Sequence, residues 1–286
     1  MGRSGGESTD TAGFAATRRD AMKLAGAAAM ATFAAAGVRR GAVAQDATPI
    51  AAPAVGDGLL GQYLVVRART LKPDRSGEEL LGLIREGFLP LIEDVPGFVS
   101  YVAVANDETR NQFSVGVYAD KAGADESTRR AGEWGALGAA DYVEGDPDVS
   151  EGIIGVAAEA VDALPAGSLE ASPAATPVAG SGLEGKYLAV RLRQGNPAWT
   201  AEESLRLIGE GYVPLVREIP GFVAYFGSAD ADAGNQAYVV IFDDKAGADE
   251  STRVAGEWLT ENSYDFFTGD AVVAEGIIGV AAEAGV

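Results

Sequence analysis

Residues 59–160 of this 286-residue chain are written out a second time at 183–284, with no insertion or deletion between the copies. Tyr63 matches Tyr187 and Glu151 matches Glu275, a constant shift of 124 positions. PGFVSY at 96–101 returns as PGFVAY at 220–225, and DKAGADESTR occurs at both 120–129 and 244–253. A unit this long exceeds solenoid and propeller repeats, so each copy is expected to be a whole small domain. The domains expected are residues 59–160 and 183–286, joined by the Pro/Ala-rich linker 161–182. Fully extended, that linker reaches roughly 70 Å, enough to join two packed domains in almost any orientation.

Residues 1–44 read as an export signal. Thr17-Arg18-Arg19-Asp20-Ala21-Met22-Lys23-Leu24 is a twin-arginine motif, followed by a weakly apolar Ala/Gly run to Val38 and a small-x-small site at Ala42-Val43-Ala44. The run is shorter than the roughly 20 residues a membrane span needs. Residues 45–58 form a flexible spacer, and the mature protein is expected outside the cytoplasm, with no membrane insertion.

Charge and composition exclude more than they assign. The chain carries 22 basic and 42 acidic residues, a net charge of −20, and loss of residues 1–44 makes the balance more negative still. Such a surface repels phosphate backbones and anionic lipid, so nucleic-acid partners are not expected. His and Cys are absent, and the three methionines (Met1, Met22, Met30) all lie in the signal. Imidazole, thiolate and thioether ligands are therefore missing from the mature chain, as are a nucleophilic Cys and a Ser–His–Asp triad. No metal and no cofactor is expected.

Within the first copy, alternation predicts a strand from Gly61 to Arg69. Ser76 and Glu79 form a capping box ahead of a helix carrying Leu80, Leu81, Leu83, Ile84, Phe88, Leu91 and Ile92, which ends at Pro96-Gly97. Strands follow at Phe98–Val104 and Gln112–Tyr118, then a helix from Asp120 to about Tyr142 and a strand at Gly152–Ala158. The β-α-β-β-α-β order predicts an α+β, ferredoxin-like unit with helices on one face of an antiparallel sheet. The bare face needs cover, so the two units are expected to pack sheet to sheet. On the first strand Leu64, Val66 and Ala68 oppose Tyr63, Val65, Arg67 and Arg69. The apolar side suits the helices and the Tyr/Arg side a mixed interface between sheets.

The strand order, the P-G-F-x-x-Y turn and the Asp-Lys-Ala…Ala-x-x-Trp stretch resemble antibiotic-biosynthesis-monooxygenase-like domains of the dimeric α/β-barrel superfamily. The likeness covers both copies. It implies a pseudo-dimeric α/β barrel formed within one chain, and a small apolar or aromatic ligand held between sheet and helices. Haem-degrading members use an axial His, which this chain lacks. Pocket residues by type are Trp134 and Trp258, with Asn111 and Asn235.

Other candidates come from the repeated strands. Arg67 and Arg191 could clamp a ligand carboxylate, or pair with carboxylates across the sheet interface. Tyr63, Tyr187, Tyr101 and Tyr225 could orient an oxygenated ring, or simply be half-buried strand residues. Asp120, Asp125 and Glu126 begin a helix, where carboxylates offset the macrodipole. The copies differ at Arg75/Trp199, Arg85/Gly209 and Val143/Phe267, which leaves room for one pocket to have diverged. Three functions fit: a small-molecule-binding protein, a cofactor-independent monooxygenase on an aromatic substrate, or a non-catalytic module of the cell envelope.

Overall fold

A computed structural model describes residues 57–160, 178–179, 182–230, 234–262 and 264–284. The expected signal, and most of the expected spacer and linker, lie outside the described residues; the last two spacer residues, Asp57 and Gly58, open a short 3-10 turn, Asp57–Leu59. The described residues form nine strands: β1 (Tyr63–Leu71), β2 (Phe98–Asn106), β3 (Asn111–Tyr118), β4 (Val143–Glu159), β5 (Val178–Ala179), β6 (Tyr187–Gly195), β7 (Phe222–Ala229), β8 (Asn235–Phe242) and β9 (Phe267–Glu283). Helix α1 runs through Gly77–Leu83, a π-helical turn Ile84–Phe88, and Leu89–Glu93. Helix α2 is Lys121–Trp134 with a π-helical turn Gly135–Ala139. Helix α3 is Ala201–Leu207, Ile208–Tyr212 and Val213–Arg217, and α4 is Lys245–Glu261.

Local chemistry starts each helix where the sequence places it. Ser76 Oγ accepts from the Glu79 N–H at 3.4 Å, and Thr200 Oγ1 from the Glu203 N–H at 3.1 Å. Asp120 and Asp244 accept from the N–H groups of Gly123 and Gly247 at 2.9 and 3.1 Å. The β2–β3 turn needs a left-handed residue and uses Arg110 (φ 57°), where the β7–β8 turn uses Gly234 (φ 70°). The Arg110 guanidinium compensates by donating to Leu71 O at 2.9 Å and pairing with Glu144 at 2.8 Å.

Antiparallel pairing runs β2-β3-β1-β4-β7-β8-β6-β9 and closes through β9–β2, giving an eight-stranded barrel with four helices outside. The long strands β4 and β9 make the closure. β4 pairs with β1 from Val143 to Ile153, then with β7 from Ile153 to Glu159. β9 pairs with β6 from Phe267 to Ile277, then with β2 from Ile278 to Glu283.

The two faces of β1 are used the opposite way from the sequence expectation. Leu64 and Val66 lie in the barrel interior with Val102, Phe113, Val190, Phe226 and Val239, while Val65 packs beneath the helices and Arg67 bonds to α2. The reason is access to partners. The barrel interior is walled by apolar side chains, the small Ser150 and Ser228 aside, and gives a guanidinium no route to water. The helix layer offers Ser127 and Thr128, and an edge to solvent. Arg67 therefore makes no carboxylate pair across a sheet interface.

Two further expectations need adjustment. The last strand of the first copy begins at Val143 rather than Gly152, because the Gly-Asp-Pro run 145–147 is absorbed by a register shift opposite Ala68 and Thr70. Within the expected linker, Val178 and Ala179 pair with Glu283 and Ala282 of β9.

Helices cover the barrel from outside, and each layer includes residues of the other half. Leu80, Ile84, Phe88 and Ile92 of α1 share a cluster with Val280 and Ala282 of β9. Leu205, Ile208 and Val216 of α3 share one with Val156 and Ala158 of β4. At Gly152, where β4 passes from β1 to β7, an added Cβ would stand 2.4 Å from the Ala229 backbone. Gly152→Ala is therefore expected to cost about 1–3 kcal/mol in urea unfolding. Gly132→Ala, on α2 with open space around its Cβ, should be neutral or stabilising by up to about 1 kcal/mol. Equal midpoints for the two variants would contradict this close approach at the crossing.

Candidate functional site

Two cavities lie between barrel wall and helices, at repeat-equivalent places. The first, about 40 Å³, is lined by Arg67, Arg69, Phe88, Tyr101, Gln112, Ser114, Trp134 and Val143, among others. The second, about 50 Å³, has Arg191, Arg193, Tyr212, Tyr225, Tyr238, Trp258 and Phe267 on its walls. Strands supply the arginines together with Tyr101, Tyr225, Tyr238 and Phe267, and the helices supply Phe88, Tyr212 and the two indoles.

Each tryptophan is seated by a glycine in the facing π-helical turn. A Cβ at Gly87 would lie 3.0 Å from Trp134 Nε1, and one at Gly211 would lie 2.8 Å from Trp258 Nε1. The same turns deliver Phe88 and Tyr212 to the cavities. Phe88 lies 5.1 Å from Trp134 at 33° and 5.8 Å from Tyr101 at 73°. Tyr212 lies 5.9 Å from Trp258 and 5.5 Å from Tyr225. These are offset and edge contacts of ordinary aromatic packing.

The cationic side differs between the copies. Arg67 Nη2 donates to Ser127 Oγ at 3.0 Å and to Thr128 Oγ1 at 2.7 Å. Tyr118 adds its hydroxyl to Ser127 at 2.5 Å. In the second copy Arg191 bonds to Thr252 and, at 3.4 Å, to Ser251. Arg193 stacks over Phe267 at 4.8 Å, and the Tyr238 hydroxyl donates to Gln236 Oε1.

Of the residues singled out in the sequence, Trp134, Tyr101 and Arg67 come together in the first cavity and Trp258, Tyr225 and Arg191 in the second. Tyr63 and Tyr187 do not reach either. Tyr63 OH lies 3.4 Å from Glu151, and the ammonium groups of Lys121 and Lys245 sit over the two tyrosine rings at 5.6 and 5.7 Å. Asn111 and Asn235 open β3 and β8 and line neither cavity. Their neighbour Gln112, which the sequence marks only as the start of a strand, does line one, because alternation along β3 turns it toward the helices with Ser114. Asp120 is a helix cap, while Asp125 pairs with Lys121 and Glu126 with Arg129 and Arg130. Among the described residues no group of three or more acids is placed to hold a metal ion.

Sequence reasoning missed Phe88, Ser114, Tyr212 and Tyr238 as cavity residues. A signal was available for the last: Ser114 and Tyr238 are repeat-equivalent and very different in size, as are Val143 and Phe267.

No family model matches the chain, and no curated protein does. Solved structures share its fold. A "Putative monooxygenase" from Fusobacterium nucleatum is similar at TM-score 0.55 and 11% identity, over 79% of this chain and 97% of that one. An anthrone oxidase-like protein is similar at TM-score 0.52 and 14% identity, over 80% and 96%. A "putative monooxygenase" from Lactobacillus acidophilus gives TM-score 0.51 and 11% identity, over 79% and 97%. Each match extends over more of this chain than one repeat alone could supply. At such identities the likeness shows the fold alone, an antiparallel barrel with helices outside it.

The tyrosines that line the cavities all titrate above their ordinary value. Burial pushes the Tyr101 hydroxyl up to about 12, against smaller lowering effects of its Ser114 hydrogen bond and of Arg67 and Arg69. Burial likewise raises Tyr225 and Tyr238. A raised tyrosine stays protonated in the fold after the unfolded chain has begun to ionise near pH 10. Its stabilising contribution is thus full below pH 10 and declines as pH rises toward 12. Tyr101→Phe should reduce the steepness of alkaline destabilisation in that window, by up to about 1.4 kcal/mol per pH unit. Urea melts at stepped pH will read it, and an unchanged slope would show that Tyr101 ionises freely.

Proposed function

We propose that this chain is an exported small-molecule-binding protein of the antibiotic-biosynthesis-monooxygenase-like type. Its two repeats take the places of the two subunits of a dimeric α/β barrel. The observation that carries this reading is the pair of cavities at repeat-equivalent positions, each with an indole wall, a buried tyrosine and two arginines. Aromatic walls with a few convergent polar groups are the usual make-up of a small-molecule site. Export rests on the Thr17–Leu24 motif.

Chemistry favours binding over turnover. A cofactor-independent oxygenase must take a proton from its substrate or accept one already ionised, and its anion must then be stabilised. The lining tyrosines are held protonated and arginine is not a base, so only the stabilising half of that machinery is present. The cavities are also smaller than the roughly 150 Å³ space that admits benzene. A ring enters only if the helix layer shifts.

Native mass spectrometry of the mature chain, after incubation with small phenols and naphthols and with oxygen uptake followed in parallel, tests the reading. A bound mass without oxygen uptake is expected, and Trp134→Phe with Trp258→Phe should weaken that binding. Protein-dependent oxygen uptake would replace binding with the monooxygenase alternative. No bound mass and no uptake would leave the envelope module.

A further inference from the structure

We infer that the cavity of the first repeat is a binding site for the acid group of a small organic carboxylate, with Arg67 as its counter-ion, and that the second repeat has lost this capacity. The inference rests on the small-molecule-binding reading and names the ligand class.

Arg67 is only 5% exposed, yet its Nε and Nη1 are buried with no hydrogen-bond partner, and no carboxylate lies within 4 Å of it among the described residues. Its partners are neutral hydroxyls: Ser127 and Thr128 at Nη2, with the Tyr118 hydroxyl beside them. Buried charges in proteins are paired, because an isolated ion away from water is costly. A chain with 42 acidic residues has ample means to supply a partner, and among the described residues supplies none here. Arg69 adds a second cation to the same cavity wall. Burial lowers its affinity for the proton, Asp146 acts in the opposite sense, and the nearby charge of Arg67 adds to the lowering.

The rest of the wall suits an acid. Gln112 and Ser114 are buried polar groups beside the cations, facing the flat surface of Trp134 and Phe88. A space of about 40 Å³ takes a carboxylate and little more without movement of the helices.

At the equivalent place in the second repeat, the same features have been cancelled one by one. Tyr238 stands where Ser114 does, and its hydroxyl occupies Gln236. Phe267 stands where Val143 does and receives Arg193 on its face. Arg191 is partly exposed, and none of its nitrogens is a buried, unpartnered group. The predicted stoichiometry is therefore one acid per chain.

Calorimetric titration of the mature chain with acetate, benzoate and the neutral benzamide, in low-chloride buffer at pH 7, tests this. Acetate or benzoate should bind at one site per chain, at least about thirtyfold more weakly in Arg67→Met. Arg129→Gln, which removes an exposed charge from the same helix layer, should bind as the wild type does. Without acid, Arg67→Met should melt no lower than the wild type, because it removes an unpaired buried cation; a clearly lower melting point would mark Arg67 as structural and overturn the inference. Two equivalent sites, or full binding by Arg67→Met, would also overturn it. Saturable benzamide binding with no acid binding at millimolar concentration would overturn the acid site and leave small-molecule binding standing. Failure of all three probes would overturn the acid site, and the phenol and naphthol incubations then decide the small-molecule reading separately.

Discussion

The crossing of β4 and β9 from one half of the barrel to the other is the constraint on which the rest depends. Each long strand spends its first part on a neighbour in its own repeat and its last part on a strand of the other. Every central strand edge is thereby paired, and the unpaired edges that an open four-stranded sheet would present are gone. Closure also fixes chemistry. The interior belongs to Leu, Val, Ile and Phe from both repeats, with the small hydroxyls of Ser150 and Ser228 on that face, and the strand arginines Arg67 and Arg191 are placed on the outer face, under the helices. Cavities lined by Arg, Gln, Ser and Tyr arise there as a consequence.

The helix layer turns that polar strand face into something with shape. The π-helical turns of α1 and α3 bring a glycine against each tryptophan and an aromatic residue over each cavity. Such turns interrupt regular helical hydrogen bonding and recur at functional places in proteins. From this shared frame the repeats diverge by a few side chains. Phe88, Ser114 and Val143 in one correspond to Tyr212, Tyr238 and Phe267 in the other. The substitutions leave the aromatic framework intact and change whether the cations find company.

Much of the fold was legible because its signals are local. The Ser76 cap, the Pro96-Gly97 stop and the alternation in β1 all rest on neighbouring residues. What could not be read depended on distant partners. Alternation shows that Leu64 and Arg67 face opposite ways but not which side is the barrel interior, and the expected assignment was reversed. The strength of the Gly145–Pro147 turn signal hid the first half of β4, which is held by β1 across a register shift. The site was legible in part, since Trp134, Tyr101 and Arg67 are conspicuous residue types. Gln112 and Ser114 become cavity residues only once β3 is known to lie beside β1. Tyr63 and Tyr187 looked equally suitable, but lie nearer the other end of their strands, beside the Lys–Glu pairs of the helix starts.

Amide hydrogen exchange on the full chain tests the closed barrel most directly. If the β4–β7 and β9–β2 seams are integral, amides at Ala157, Phe226, Val102 and Ala281 will exchange only through global unfolding, as those of β1 and β3 do. Exchange of the seam amides at a distinctly lower opening free energy, with β1 and β3 still protected, would show two halves that separate and would contradict the account.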